Sequence, residues 1–119
     1  MLNNLLIVED NSSMRRLIKS VLQDIAVEIH ECKDGAEALA AYEEHRPEWV
    51  VMDIEMKEKD GITATREIVE TYPGAKILIL TKYDSSGIRE EAQRAGASTF
   101  VLKEDLLSIL KILPSCHFR

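Results

Sequence analysis

Short apolar runs of strand length alternate with longer segments of helical period along this chain, and the alternation restricts its fold strongly. Continuous apolar runs occupy residues 5–8, 49–52, 77–80 and 100–102. Such runs are typical of strands covered on both faces. Parallel strands need crossover connections, which helices supply, so the pattern predicts an α/β sheet.

Five helical segments separate or follow these runs. The first carries one apolar stripe, with either Asn11 or Ser12 as its N-cap; the stripe consists of Met14, Leu17, Ile18, Val21, Leu22 and Ile25. The second begins at DGAE, residues 34–37, and ends before Pro47. Residues 62–71, 86–95 and 105–113 predict three more helices, of which the last is apolar over most of its circumference. Such a broad apolar surface indicates either deep burial or a partner surface.

The segment VEIHEC, residues 27–32, alternates apolar and polar side chains, unlike the other runs. Alternation predicts a half-exposed strand at the edge of the sheet. With the short run 100–102 at the opposite edge, the predicted fold is α/β, a doubly wound, flavodoxin-like parallel sheet of five strands in the order 2-1-3-4-5, flanked by five helices.

Size and charge exclude several classes of function. A chain of 119 residues predicts one domain, here residues 1–114 with a C-terminal tail at 115–119. The net charge of −6 argues against direct nucleic-acid binding. No apolar stretch approaches the roughly 20 residues that span a bilayer, so we expect no membrane segment and a cytoplasmic location. Cys32 and Cys116 lack zinc-ligand spacing and predict free thiols.

Ionisable and hydroxyl side chains follow the ends of four predicted strands. Glu9 and Asp10 follow the first, Asp53 the third, Thr81 the fourth and Lys103 the fifth. Ligands of such sheets bind beyond the carboxyl ends of the strands, so these side chains should meet at one edge. Three carboxylates facing one ammonium leave excess negative charge, and a site of oxygen ligands alone favours Mg²⁺.

A carboxylate beside Mg²⁺ can attack a phosphoryl group and form an acyl phosphate. Asp53 is placed to be this nucleophile, with Lys103 neutralising the phosphoryl oxygens and the Thr81 hydroxyl bonding one of them. Each residue taken singly is more often an N-cap, a turn residue or a surface ion-pair partner. Their common location at strand ends favours the functional interpretation.

The motifs IVEDN, VVMD, LILT and AGASTFVLK, in this order, resemble the receiver domain of bacterial two-component response regulators over residues 3–113. The resemblance implies phosphorylation on aspartate by a sensor histidine kinase, with Mg²⁺ required. It is not the pattern of an enzyme acting on external substrates, although such domains take part in their own phosphorylation and dephosphorylation. It also implies an output surface on the fourth helix, fifth strand and fifth helix, for a homodimer or another partner.

The resemblance also assigns roles by matching position. Asp53 matches the phosphoacceptor, Glu9 and Asp10 the acidic pair that holds magnesium, Glu55 a metal ligand through its backbone carbonyl, Thr81 the switch hydroxyl, Phe100 the switch aromatic and Lys103 the phosphoryl-binding lysine. The side chains of Glu55 and Tyr83 fall where the family tunes the lifetime of the phosphate. The Asp-Gly pair at 60–61 is expected to form the turn into the third helix, with no direct role in the chemistry.

Two features depart from or extend the resemblance. Lys57 stands where receivers usually have proline. Because proline restricts its own backbone and that of the preceding residue, its absence should loosen the loop after Asp53. Residues 80–106 are most similar to receivers that precede a LuxR-type helix-turn-helix domain, and a transcriptional output is therefore expected. No such domain is expected in this chain, which is either an excised receiver or a protein that acts alone.

The rival functions are a phosphorylation-independent interaction module and a Mg²⁺-dependent phosphatase with Asp53 as nucleophile and Glu55 as general acid.

Overall fold

The computed structural model describes residues 1–56 and 58–117, with side chains as far as residue 113. Its strands are β1 (Leu2–Val8), β2 (Ala26–Cys32), β3 (Trp49–Asp53), β4 (Ile77–Thr81) and β5 (Thr99–Leu102). Its α-helices are α1 (Ser12–Leu22), α2 (Ala38–His45), α3 (Gly61–Thr71), α4 (Ser86–Ala95) and α5 (Ile109–His117). Within the described residues the predicted elements are therefore all present.

The five strands form one parallel sheet in the order β2-β1-β3-β4-β5, which confirms the predicted fold class. Every residue of β3 and β4 is buried, as the continuous apolar runs predicted. β2 lies at the edge and is half exposed, as predicted, but its exposure does not alternate, since the neighbours Val27 and Glu28 are both exposed. The strand order reverses between β1 and β3, which is where ligands of doubly wound sheets bind.

The sheet has a separate apolar core on each face because successive side chains of a strand point to opposite sides. On one face Leu5 and Ile7 pack with residues of α1 and α5, including Ile18 and Ile109. On the other face the neighbouring strand residues pack with α2, α3 and α4; this core includes Leu6, Val8, Val50, Met52, Ala64, Ile68, Ile79 and Ala92. Both faces hold the strand ends in fixed positions.

Side-chain caps fix where the helices begin. The Asn11 side chain accepts a hydrogen bond from the Met14 amide, which settles the choice between Asn11 and Ser12. Asp60 caps α3 in the same way, through the amide of Thr63 at 2.8 Å. Gly96 ends α4 with a φ of 104°, a left-handed conformation that glycine adopts without strain.

The last helix differs from its prediction. A helix from 105 to 113 was expected, but a 3₁₀ helix spans Lys103–Ser108 and α5 begins only at Ile109. The backbone of Asp105 is not helical (φ −108°, ψ 32°), and its carbonyl accepts a hydrogen bond from the Ser108 hydroxyl at 2.7 Å. This local bond competes with regular helix formation. The helix continues to His117, into the segment that was predicted to be a tail.

Three apolar residues of this C-terminal region, Leu106, Ile109 and Leu113, are buried against the sheet. Leu107, in contrast, is 68% exposed. The broad apolar surface is thus explained mainly by burial, with one exposed leucine left over. In the described part of the chain no helix has both the length and the apolar character needed to cross a bilayer.

Candidate functional site

The register of the sheet brings the predicted site residues to one edge. Asp53, the last residue of β3, pairs with Leu80, so Thr81 lies one residue further along β4. Thr81 pairs in turn with Leu102, which places Lys103 next along the chain. On the other side Val8 pairs with Met52, so Glu9 lies level with Asp53. The expected convergence is therefore a direct result of strand pairing.

Three carboxylates form a tight cluster at this edge. One oxygen from each of Glu9, Asp10 and Asp53 lies within 4.8 Å of the others. Glu9 is 1% exposed and Asp53 2% exposed. The loop that carries Glu9 and Asp10 is fixed by two hydrogen bonds, from the Asn11 amide to Glu9 Oε2 at 3.2 Å and from Arg15 to the Glu9 carbonyl at 2.8 Å.

Lys103 is the cation that the cluster holds. Its Nζ lies 2.9 Å from Asp53 Oδ1 and 3.3 Å from Glu9 Oε1. Burial lowers the pKa of Lys103, but its contacts with Asp53 and Glu9 more than offset this effect, so the net pKa is raised. The ammonium is therefore charged at neutral pH, as the sequence interpretation required.

The pKa of Glu9 is changed by its position in this buried cluster of carboxylates. Burial and then the neighbouring charge of Asp53 raise the pKa of Glu9 from 4.5 to about 7, although Lys103 acts in the opposite direction. Three carboxylates thus lie together beside the Lys103 ammonium, and burial makes it costly for all of them to be ionised. Such a cluster favours an additional cation.

The donor set fits Mg²⁺. Its side-chain ligands are carboxylate oxygens, which suit a hard cation. While Oδ1 of Asp53 contacts Lys103, the buried Oδ2 has no hydrogen-bond partner among the described residues. A buried carboxylate oxygen without a partner is costly, and a metal ion or a phosphoryl group would remove that cost.

The side chains around the cluster enclose a cavity of about 420 Å³, which we call the acidic cavity. It is lined by Glu9, Asp10, Asn11, Met14, Asp53, Glu55, Lys82 and Lys103. Glu55 Oε1 is buried and has no hydrogen-bond partner in the described part of the structure. Lys57, whose effect on this loop was a separate prediction, lies outside the described residues.

Thr81 lies at the adjacent strand end but is not among the residues that line the acidic cavity. It is completely buried, and its hydroxyl accepts a hydrogen bond from the Tyr83 amide at 3.2 Å. Tyr83 is 54% exposed in the following loop. In this conformation the Thr81 hydroxyl is therefore hydrogen-bonded to the backbone of the loop after β4.

Phe100 is half-buried rather than fully inside the core. The guanidinium carbon of Arg89, on α4, lies 4.4 Å from the centroid of its ring. Arg89 and Phe100 also line a second cavity of about 290 Å³ between α4 and β5. Phe100 thus contacts both the core and the surface of the predicted output region.

Sequence reasoning missed Lys82 and identified Gly61 only as part of the turn into α3, which the structure confirms. A Cβ atom on Gly61 would lie 1.9 Å from the carbonyl oxygen of Asp53, so this position holds the backbone of the acidic residue. The Gly61 amide also donates to the Ile54 carbonyl at 2.9 Å. Lys82 lines the acidic cavity, and its position directly after Thr81 at a strand end was the signal that could have identified it.

Comparison with known proteins agrees with this geometry. Residues 5–113 match the family described as "Response regulator receiver domain". The chemotaxis protein CheY of Bacillus subtilis (strain 168) is 38% identical over 104 residues, 87% of each chain. The transcriptional regulatory protein DegU of Brevibacillus brevis is 30% identical over 105 residues, 84% of this chain and 43% of that protein.

A LuxR-family response regulator from Aurantimonas sp. SI85-9A1 has a solved structure that superimposes with a TM-score of 0.91 at 28% identity. The match covers 98% of this chain and 85% of that one. Chemotaxis proteins and transcriptional regulators are thus both among the relatives. The expected preference for the LuxR type is not established by these similarities.

Proposed function

The chain belongs to the response regulator receiver family, and from this premise we propose that it is a signalling module that accepts a phosphoryl group on Asp53. The observation that supports this most directly is the state of the Asp53 carboxylate. One oxygen is held by Lys103, while the other is buried at the acidic cavity without a hydrogen-bond partner among the described residues. A fixed carboxylate with one free oxygen is suited to nucleophilic attack.

The phosphodonor is a phosphohistidine of a sensor histidine kinase. The free oxygen of Asp53 forms a bond to phosphorus as the phosphorus–nitrogen bond of the donor breaks. The leaving imidazole nitrogen keeps the electron pair and takes up one proton from the solvent, which leaves neutral imidazole on the kinase. Lys103, already between Asp53 and Glu9, stays within reach of the phosphoryl oxygens and offsets their charge.

Glu9, Asp10 and Asp53, together with the backbone carbonyl of Glu55, would hold Mg²⁺, whose charge would stabilise the phosphoryl oxygens during transfer. The proposal for the three side chains is supported by their proximity and by the raised pKa of Glu9, which burial and then the neighbouring charge of Asp53 cause. The proposal for the Glu55 carbonyl is supported by its position two residues after Asp53.

Phosphorylation would be transmitted through Thr81 and Phe100. Turning the Thr81 hydroxyl towards a phosphoryl oxygen breaks its bond with the Tyr83 amide, and this change at the end of β4 allows Phe100 to move inward from Arg89. The surface of α4, β5 and α5 then changes. That surface would bind a second copy or an output partner, and a transcriptional output, like a cytoplasmic location, stays a prediction.

The test is labelling of the intact protein by acetyl phosphate in Mg²⁺, followed by mass spectrometry. We expect the parent to gain one phosphoryl group and Asp53→Asn to gain none, because the amide is not a nucleophile. Asp24→Asn is the matched control, since Asp24 is exposed before β2 at the opposite edge of the sheet, and it should be labelled like the parent. Undiminished labelling of Asp53→Asn would refute the assignment.

A second candidate function, a Mg²⁺-dependent phosphatase, is favoured by one observation. Glu55 lines the same cavity as Asp53, where a general acid for an external substrate would have to lie. Repeated hydrolysis of an added phosphomonoester, lost in both Asp53→Asn and Glu55→Gln, would establish this activity. A signalling module should show none beyond hydrolysis of its own acyl phosphate.

A further inference from the structure

Lys82 is the first residue after β4, and it has no part in the transfer proposed above. Its side chain is exposed, yet it lines the acidic cavity together with Asp53. A charged side chain at the entrance of a reaction cavity acts on whatever ion enters it.

The two lysines of the acidic cavity differ in what they already bind. Lys103 contacts Asp53 and Glu9. Lys82 forms no ion pair or hydrogen bond of its side chain with any residue that the structure describes. The Lys82 ammonium is therefore free to bind an incoming anion without first breaking a contact.

The charge of the cavity makes such a group useful. Its lining contains four carboxylates, from Glu9, Asp10, Asp53 and Glu55, and two ammonium groups. Even with Mg²⁺ at the cluster, both ammonium groups are needed to balance the four carboxylates, so a doubly negative phosphodonor is repelled when the charge of Lys82 is absent. An unpaired ammonium at the entrance reduces the repulsion and raises the local donor concentration, most strongly at low ionic strength.

We propose that Lys82 binds the phosphate oxygens of the incoming donor and thereby gives this receiver efficient phosphorylation by small dianionic acyl phosphates. This inference rests on the proposed function. With acetyl phosphate, the free oxygen of Asp53 forms the new bond to phosphorus, the bond from phosphorus to the acetyl oxygen breaks, and acetate leaves with the electron pair. No proton is gained or lost, and the total charge is unchanged.

The experiment measures the labelling rate of the full chain by acetyl phosphate at fixed Mg²⁺, at low and at high ionic strength. Lys82→Met removes the charge and keeps the side-chain length, while Lys82→Arg keeps the charge. Lys76→Met is the matched control, because Lys76 is an exposed lysine that precedes β4 at the opposite edge of the sheet. Phosphoramidate, which carries less negative charge, serves as a second donor.

At low ionic strength we expect Lys82→Met to be labelled about three- to tenfold more slowly than the parent. The difference should shrink at high ionic strength and be smaller with phosphoramidate. Lys82→Arg should recover most of the rate, and Lys76→Met should match the parent throughout.

Two results would overturn the inference while leaving the proposed function intact. One is an equal rate for Lys82→Met and the parent at low ionic strength. The other is a slower rate that is the same at every ionic strength and is not restored by arginine, since this would show a structural effect. Failure of the parent itself to be labelled would instead overturn the proposed function, and this inference with it.

Discussion

At the residue scale, the raised pKa of Glu9 links the acidic cluster to the stability of the protein. Its folded-state pKa of about 7, against 4.5 for an ordinary glutamate, means that folding favours the protonated carboxyl. Between these two values the folded protein binds more protons than the unfolded chain. Stability that depends on the protonated form is therefore fully present below pH 4.5 and is lost as the pH rises to about 7.

This shift predicts that, without divalent cations, the protein becomes less stable from about pH 5 to pH 8. One pKa unit corresponds to about 1.4 kcal/mol, so Glu9 should remove on the order of 2 to 3 kcal/mol from the free energy of unfolding over this range. Urea unfolding at several pH values measures the effect. Mg²⁺ should restore stability at pH 8, because it offsets the charge that forms on Glu9.

Glu9→Gln is the control for that prediction, because an amide of similar shape does not ionise. The difference in unfolding free energy between the parent and this variant should change with pH by the amount stated. Parallel pH profiles for the two proteins would show that Glu9 does not titrate in this range and would contradict the prediction.

At the scale of elements, the contact between α3 and the end of β3 positions Asp53. Gly61 begins α3, and a Cβ atom there would lie 1.9 Å from the Asp53 carbonyl oxygen and 2.7 Å from its carbonyl carbon. These are backbone atoms, so they cannot give way by a change of side-chain rotamer. A methyl group at residue 61 must therefore displace either the helix or the strand end.

Gly61→Ala should therefore destabilise the protein by about 2 to 4 kcal/mol and slow labelling of Asp53. Gly74→Ala is the matched control, since no heavy atom lies within 4 Å of a Cβ atom built there. It should change stability by less than about 0.5 kcal/mol and leave the labelling rate unchanged. Equal behaviour of the two variants in urea unfolding and labelling would show that the close approach of Gly61 has no functional importance.

Elements could be predicted from the sequence where burial alone determines them. The runs that became β3 and β4 are apolar because both faces are covered, so their positions were correct to one residue. The predicted caps Asn11 and Asp34 were correct because each side chain accepts a hydrogen bond from a nearby backbone amide. The 3₁₀ helix Lys103–Ser108 was missed because it depends on the non-helical backbone of Asp105, which an apolar period does not reveal.

In the site, the residues at strand ends could be predicted from the sequence, but the residues in the following loops could not. Strand ends must meet in a parallel sheet, so the proximity of Glu9, Asp10 and Asp53 followed from strand order. The directions of side chains in the following loops do not follow from strand order. This is why the contribution of Lys82 to the acidic cavity and the close approach of Gly61 to Asp53 were found only in the structure.

At the scale of the whole molecule, the sheet links the acidic cavity to the surface between α4 and β5. Thr81 lies between these two regions, since it follows the strand position paired with Asp53 and is itself paired with β5 through Leu102. Phe100 is also on β5 and contacts Arg89 of α4. A change at Asp53 can thus reach α4 through two neighbouring strands.

Thr81→Val tests this route, because valine keeps the buried shape but has no hydroxyl to bond a phosphoryl oxygen. In the parent, beryllofluoride, a stable mimic of the phosphoryl group, should change hydrogen exchange in Ser86–Ala95 and Thr99–Leu102. In Thr81→Val we expect beryllofluoride still to bind, because Asp53 and Lys103 are intact, while most of the exchange response is lost. Hydrogen exchange followed by mass spectrometry measures both segments.

Thr65→Val is the matched control for this variant. Thr65 is also completely buried, but on α3, and its hydroxyl has no hydrogen-bond partner in the described structure. Loss of that hydroxyl costs no bond, so the control should keep the stability and the full exchange response of the parent. If Thr81→Val responds to beryllofluoride as strongly as Thr65→Val, the signal does not pass through the Thr81 hydroxyl, and contacts of Lys103 with the phosphoryl group become the route to test.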